Sequence, residues 1–355
     1  MKSKLVIYYE FGILELYYYQ NNKNLDLYGS NDMYSLCDMH KVFGGYSLIN
    51  RLDHGFNFPV NFSYTPIPKN YQTSLSFEDV CLTVAEEIWK KTDKVSLFWS
   101  GGIDSTTALV SLMMTNSNWK NCIEIYTDKV SVENEYPLFY NTFLKDANVH
   151  LFETTEKKDY SSYYQKQLFE NKYVTDGNCG DWIWASGIIN NYSDNIHTDY
   201  KIIYNKIKSN EFIHYPEILI DYIERVISFS PVKIKSIFDL SWWIAFTHRW
   251  DYNKITHTLN LRDLNYLYAM KPFFDDELFQ KWSMSNHDKK VKNSLNTLKW
   301  PAKDLIYKYT KDETYKINKK QRNSIKHHIH YIPYNCVVNQ NNIIKAIPLT
   351  DAFKK

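Results

Sequence analysis

Val95-Ser96-Leu97-Phe98-Trp99-Ser100-Gly101-Gly102-Ile103-Asp104-Ser105-Thr106-Thr107 decides how the rest of the chain is read. Lys94 to Trp99 has the length and apolar character of a buried strand, and Ser105 to Met114 is an apolar-faced run of good helix formers. The order is strand, tight turn, helix. A helix that begins inside the loop Ser100–Thr106 aims its free amides and its positive dipole end at one point, and the two glycines let an anion come close. The hydroxyls of Ser100, Ser105 and Thr106 add donors. Asp104 sets a carboxylate beside the phosphates, which makes electrostatic sense with a cation such as Mg²⁺ between them, so metal-bound pyrophosphate is the expected ligand. There is no GxxxxGK[ST] string, and the lysine-bearing phosphate loop is not indicated. Two glycines alone would describe only a capped helix after a turn; the specificity lies in the full Ser-Gly-Gly-x-Asp-Ser string between strand and helix.

Outward from that loop the periods alternate. Ser76 with Asp79 opens a helix that carries Val80, Val84 and Ile88 on one face and ends near Lys91. Cys122 to Thr127 reads as a strand, Leu138 to Leu144 as a helix and Val149 to Phe152 as a further strand. This alternation predicts an α/β fold, a parallel sheet with flanking helices. Beyond about residue 195 the expectation is helical: Glu217 to Phe229, Ile237 to Phe246 and Asp276 to Met284. The first 70 or so residues predict a small β-rich region, with strands from Leu5 to Tyr9 and Ile13 to Tyr19 and turn chemistry at Gln20-Asn21-Asn22. Prolines 59, 66 and 68 mark Asn57 to Tyr71 as a linker, and Cys336 to Leu349 reads as a hairpin around Asn341-Asn342. The expected division is residues 1–72, 73–332 and 333–355.

Bulk composition excludes several classes. With 355 residues, 44% hydrophobic and 23% charged, the chain has the makings of a large core and none of the signature of disorder. Lys+Arg at 42 against Asp+Glu at 40 leaves a formal +2, so no nucleic-acid partner or membrane surface is expected from charge. The five cysteines, Cys37, Cys81, Cys122, Cys179 and Cys336, are widely spaced with no CxxC pair, which argues against a disulfide framework or cysteine zinc site and for a reducing, cytoplasmic setting. No apolar run reaches membrane-spanning length, and Leu5 to Tyr9 meets Glu10 too soon for a signal peptide.

The Ser100–Thr106 loop resembles the pyrophosphate loop of the N-type ATP pyrophosphatases, which cleave ATP to AMP and pyrophosphate while adenylating a substrate. The resemblance narrows to the synthetase domain of asparagine synthetases and their relatives, among them β-lactam synthetases and lasso-peptide cyclases. It implies an adenine nucleotide α-hydrolase-like sheet with a helical C-terminal part, and it spans roughly residues 76 to 330. Three later segments follow the family's order. Val174 to Ser186 is similar to its second loop: Asp181 matches the second magnesium-binding aspartate, Gly180 lies beside it in the nucleotide-binding string, Asn178 stands where asparagine synthetases carry a glutamate, and Ala185-Ser186 stand where they carry two glycines. Read alone, this is a turn leading into an aromatic helix. Lys271-Pro272-Phe273-Phe274-Asp275 is similar to a Pro-Phe-x-Asp string that opens a helix. Thr297 to Lys303, followed by Lys319-Lys320, is similar to the segment supplying a transition-state lysine; Lys299 matches that lysine and Lys303 stands for an arginine. A solvated basic helix face is the plain alternative there.

The resemblance therefore implies an ATP- and Mg²⁺-dependent amide ligase. Ser100, Gly101, Gly102, Asp104, Ser105, Thr106, Gly180, Tyr126 and Thr127 would bind the nucleotide, Asp104 and Asp181 the metal, and Lys299, Asp181 and Asn178 would serve the chemistry. Ser131 is a further candidate after the second strand, with Glu133 and Glu135 read as surface residues. The substrates implied are a small carboxylate, aspartate by family default, and ammonia or an amine. Glutamine-dependent members begin with a catalytic cysteine; this chain begins Met1-Lys2-Ser3, so no intrinsic glutaminase is expected and a separate partner is one route for ammonia. Two other readings stay open: adenylation chemistry on a nucleobase or tRNA, and nucleotide binding without turnover. His327, His328 and His330 read as surface histidines, since no carboxylate or cysteine accompanies them at ligand spacing.

Overall fold

The computed structural model describes residues 5–10, 13–18, 51–52, 65–152, 173–185, 195–210, 216–251, 271–317, 334–338 and 344–348. The expected turn at Gln20-Asn21-Asn22, Cys37, Ser186, Lys319-Lys320 and the three histidines lie outside these residues, as do 57–64 of the expected linker. The strands are β1 (Leu5–Glu10), β2 (Ile13–Tyr18), β3 (Val95–Phe98), β4 (Ile123–Asp128), β5 (Val149–Phe152), β6 (Tyr173–Asp176), β7 (Tyr334–Val338) and β8 (Ile344–Pro348). The helices used below are α1 (Phe77–Lys91), α2 (Ile103–Thr115), α3 (Gly180–Trp184), α4 (Pro216–Ser228), α5 (Ile237–His248), α6 (Glu277–Ser285), α7 (Trp300–Thr310) and α8 (Glu313–Ile317). No helix among the described residues is long and apolar enough to cross a membrane.

The chain divides into two compact units. One comprises Pro68–Trp184 and Asp263–His330, the other Met1–Ile67, Ala185–Arg262 and Tyr331–Lys355. The first unit is α/β. Its four-stranded sheet runs in the order β5-β4-β3-β6, and every pairing is parallel. All four residues of β3 are buried, as a central parallel strand with both faces covered requires. β5, at the edge, leaves Leu151 exposed. The other edge, β6, is covered by an extended segment: the amides of Lys271 and Phe273 donate to the carbonyls of Val174 (3.1 Å) and Asp176 (3.0 Å).

Helix α1 starts where the sequence places it. Ser76 and Asp79 form a reciprocal capping box, and Phe77, Val80, Cys81, Val84, Ala85 and Ile88 form its buried stripe. α2 packs against α1 and α7. Phe77 meets Trp184 at 4.8 Å and Trp282 at 4.9 Å between ring centroids, an aromatic joint that ties α1 to α3 and α6. The helix expected from Leu138 to Leu144 is instead one α-turn, Pro137–Phe139, running into a wider π-turn, Tyr140–Leu144. Pro137 fixes the start, and Phe139 and Leu144 keep their burial through the widened turn.

The second unit joins the two hairpins. β1 pairs antiparallel with both β2 and β7, and β7 with β8, giving the order β2-β1-β7-β8. Pairing of β7 with β8 agrees with the expected C-terminal hairpin. Among its helices, α5 is buried on every side and carries Trp242 and Trp243. Arg51 packs its guanidinium 5.0 Å from the Phe246 ring and 4.9 Å from the Trp250 ring, and donates to the carbonyls of Phe246 (2.8 Å) and Thr65 (2.9 Å). At the end of α5, His248 is fully buried between the Tyr222 hydroxyl (2.9 Å from Nε2) and the Thr247 hydroxyl (2.6 Å from Nδ1).

Candidate functional site

In the α/β unit the chain advances from β3 to β4 to β5 and then returns to the opposite side of β3 as β6. That reversal is a topological switch point, and open α/β sheets bind ligands outside the carboxyl ends of the strands at such a point. Phe98 and Asp176 are in register at the ends of β3 and β6, so the loops after them lie side by side.

The first loop is closed by its own hydroxyls. Ser105 Oγ accepts from the Ser100 amide (3.2 Å), lies 3.0 Å from Ser100 Oγ, and donates to the Gly102 carbonyl (3.2 Å). Helix α2 starts at Ile103, two residues before the sequence pattern places it, and its cap Gly102 brings no side-chain acceptor. The first-turn amides of α2 are thus left without a side-chain cap, as an anion site needs. Gly101 has φ of +66°, and a side chain there would meet Glu135 Cβ at 2.6 Å. Glu135, read from sequence as a surface residue, is buried, because the Ser131–Glu135 turn packs it against this glycine.

Two glycines of the second loop bring it onto the first. A Cβ at Gly177 would stand 2.5 Å from the Ser105 amide nitrogen, and one at Gly180 would stand 2.5 Å from Asp104 Cγ. Between them, Cys179 takes the left-handed conformation at φ +68°. Ala185, where the resemblance has a glycine, does the same at φ +69°.

Into this junction comes Lys299, from the head of α7. Its Nζ donates to Asp104 Oδ2 at 2.6 Å and to Asp181 Oδ1 at 2.7 Å. The lysine is 8% exposed and itself left-handed, at φ +62°, with its amide held by the Lys290 carbonyl at 3.2 Å. A strained non-glycine residue at the meeting point of three segments is held there by its surroundings. Asp104 and Asp181, far apart in sequence, are thus joined through the Lys299 ammonium, one hydrogen bond from each.

Two carboxylates and one ammonium leave the cluster negative. Burial works to discharge Lys299, but Asp104 and Asp181 outweigh it and hold the ammonium above its ordinary range. Burial pushes Asp104 up; Lys299 opposes this, and Asp181 adds to it. Asp104 Oδ1 is sealed from solvent with no hydrogen-bond partner among the described residues. Among the described residues no group of three or more His, Cys, Asp or Glu side chains is placed to hold a metal. An orphaned carboxylate oxygen beside a second carboxylate fits Mg²⁺, which is characteristically held by one or two carboxylates and takes its other ligands from phosphate and water.

The remaining candidates have other surroundings. Asn178 turns onto Asp176, its amide donating to Oδ1 (2.9 Å) and its side chain to Oδ2. The Tyr126 ring is stacked between Phe98 (5.1 Å) and His150 (4.6 Å), and its hydroxyl donates to Glu124 (3.0 Å). Thr127 is buried beside it in β4, and its hydroxyl has no partner among the described residues. Ser131 is spent on Asp128, to which both its amide (2.8 Å) and its hydroxyl (3.0 Å) donate. Thr106 is buried and accepts from Trp99 Nε1 at 3.0 Å. Lys303, one helical turn beyond Lys299, is buried and donates to the Asn296 carbonyl at 3.4 Å.

Sequence reasoning missed Asp176 and Tyr315. Asp176 is buried at the end of β6, and the Asp-Gly turn signal marked its position without its role. Tyr315, on α8, has its hydroxyl enclosed; burial pushes the phenol well up, with Tyr136, Asp104 and Asp312 adding to the rise and Thr106 opposing it. Compared with known proteins, the chain matches no protein-family model and no curated protein.

Proposed function

We propose that the chain is an ATP-dependent, AMP- and pyrophosphate-forming ligase of the asparagine synthetase-like type, built on an adenine nucleotide α-hydrolase-like sheet, which joins a carboxylate to ammonia or an amine. The observation that carries this reading is the meeting of Asp104, Asp181 and Lys299 at the uncapped head of α2, at the switch point of a parallel sheet. The loop Ser100–Thr106 binds the β- and γ-phosphates through first-turn amides and the Ser100 and Ser105 hydroxyls. Asp104 and Asp181 would hold Mg²⁺, which when bound offsets phosphate charge.

In the first step a substrate carboxylate oxygen attacks the α-phosphorus, the bond to the β-phosphate oxygen breaks, and pyrophosphate leaves. In the second, the amine attacks the carbonyl carbon, the bond to the AMP oxygen breaks and AMP leaves, and the amine's proton passes to water. Lys299 is the buried cation available to oppose the negative charge that builds in both steps, and its pKa keeps it protonated throughout the neutral range. Asn178 has no basic group and is bonded to Asp176, so it does not accept the amine proton.

The test is release of pyrophosphate and AMP from Mg·ATP, first with aspartate plus ammonia and then across a panel of carboxylates and amines, for the wild type and Asp104→Ala. Products that vanish in the variant support the ligase, and the best acceptor names its substrate class. ADP and phosphate would sink it. Asn178's engagement with Asp176 favours a second reading, nucleotide binding without turnover; ATP binding with no cleavage under any acceptor is its result.

A further inference from the structure

We infer that Lys299 is a latch that keeps bare divalent ions out of this site: its ammonium ties the two carboxylates together and lets go only when the phosphates of an incoming metal–pyrophosphate group take it over. This rests on the function proposed above and adds to it the form of the ligand, a metal–polyphosphate complex bound as one unit. The ammonium donates to Asp104 Oδ2 at 2.6 Å and to Asp181 Oδ1 at 2.7 Å. It therefore stands between the two oxygens that an ion bridging them would contact, and such an ion, held by Mg²⁺ at about 2.0–2.1 Å from each, has to take its place. The other Asp104 oxygen offers no way round. Oδ1 is sealed from solvent, and the second loop lies against it, since a Cβ on Gly180 would be 2.8 Å away.

To uncover Oδ1 the second loop has to draw back from the first, and Lys299 ties the two together: Asp104 belongs to the first turn of α2 and Asp181 to the first turn of α3. The lysine is anchored by its backbone, left-handed at φ +62° with its amide on the Lys290 carbonyl, so release falls to its side chain. Asp181 is the open side of the cluster, its side chain 38% exposed against 16% for Asp104, and an incoming group meets it first. A bare ion arriving there expels a buried ammonium that gains no anion in exchange, which burial penalises. An ion carrying pyrophosphate supplies that anion: the carboxylates pass to the metal and the ammonium passes to phosphate oxygens. Ion and pyrophosphate then bind with positive coupling, and Lys299 is the source of part of it.

The test is calorimetric binding of Mn²⁺ alone, of inorganic pyrophosphate alone and of the two together, for the wild type and Lys299→Met. The coupling is the factor by which bound pyrophosphate strengthens the ion. Removing the latch should tighten bare Mn²⁺ about tenfold and lower the coupling about tenfold. A charge that only repels the ion and attracts pyrophosphate shifts both affinities but cancels from the coupling, so an unchanged coupling, when the wild type binds, overturns this inference alone. A wild type that binds no pyrophosphate at any Mn²⁺ or Mg²⁺ concentration overturns the proposed function and this inference with it. Should Lys299→Met fail to fold, acetylation of Lys299 in the wild type, read by mass spectrometry, decides: saturating Mn²⁺ alone should speed it several-fold over metal-free buffer of equal ionic strength, and an unchanged rate overturns the latch.

Discussion

Replacing Lys299 with methionine keeps a long unbranched stem and removes the charge that separates two carboxylates. The Lys299 and Asp104 side chains are 10% and 16% exposed, so the variant leaves Asp104 buried without its cation, facing Asp181. Removing one partner of a buried pair characteristically costs about 3–5 kcal/mol. Asp181, 38% exposed on its side chain, stays hydrated, which places this case at the lower end, about 3 kcal/mol. At about 2–4 °C per kcal/mol for a unit of this size, the melting transition of the α/β unit should fall by about 6–12 °C near neutral pH. Burial raises Asp104 above its ordinary pKa, so the folded state binds its proton more readily than the unfolded state does. Losing Lys299 removes the charge that opposes this rise, so Asp104 titrates higher still in the variant; the penalty is full above the variant's folded pKa and is lost as the pH falls through the wild type's value of about 6, so the variant should recover in acid relative to the wild type. Adding Asp104→Asn should restore most of the loss at neutral pH. Differential scanning calorimetry at several pH values reads all three. A Lys299→Met variant that melts with the wild type, or one that the added Asp104→Asn change fails to rescue, would refute the electrostatic account of the cluster.

Gly180→Ala forces a methyl to within 2.5 Å of Asp104 Cγ and should lower stability by about 1–3 kcal/mol, with at least a tenfold loss of Mg·pyrophosphate affinity read by calorimetry. His248 is pulled down to about 3, first by burial and then by Arg51 and Arg249, so the unfolded chain takes up a proton that the folded chain refuses. Stability is full above 6.5 and falls as the pH drops toward 3; by about pH 5 the loss from this one group reaches about 2 kcal/mol. His248→Gln should flatten that dependence in melting curves, and an unchanged slope would count against it. Ser236→Ala deletes the hydroxyl that accepts from the Asp239 amide in the capping box of α5 and should cost about 1 kcal/mol in chemical denaturation; a loss below measurement would show the cap to be idle.

What the sequence made legible was local. β3, the Ser-Gly-Gly loop and α2 could be read because strand length, turn chemistry and helix pattern are each written within a few residues. Ser76 and Asp79 announced α1 for the same reason. β6 escaped, being four residues ending in Thr175-Asp176, with too little alternation to separate it from a loop. The π-turn at Tyr140–Leu144 escaped because a helical apolar pattern does not report its pitch. Asp104, Asp181 and Lys299 were singled out from motif strings, yet nothing in the strings says that the lysine bonds both carboxylates. Glu135 was misread because its burial is imposed by Gly101, more than thirty residues away. Tyr315 lies on a five-residue helix with no pattern at all, and only the stack on Tyr136 reveals it.

The shared sheet of the two hairpins bears on the order in which the chain can fold during synthesis. Leu5 pairs with Val338, so during synthesis β1 waits while more than 300 further residues are made before its second neighbour emerges. Through that interval its free edge is open to any passing strand. Closing so long a loop slows assembly far more than it weakens the finished sheet, because closure entropy grows only with the logarithm of length. A nascent chain stalled before β7 should therefore be the aggregation-prone species in this protein's biogenesis.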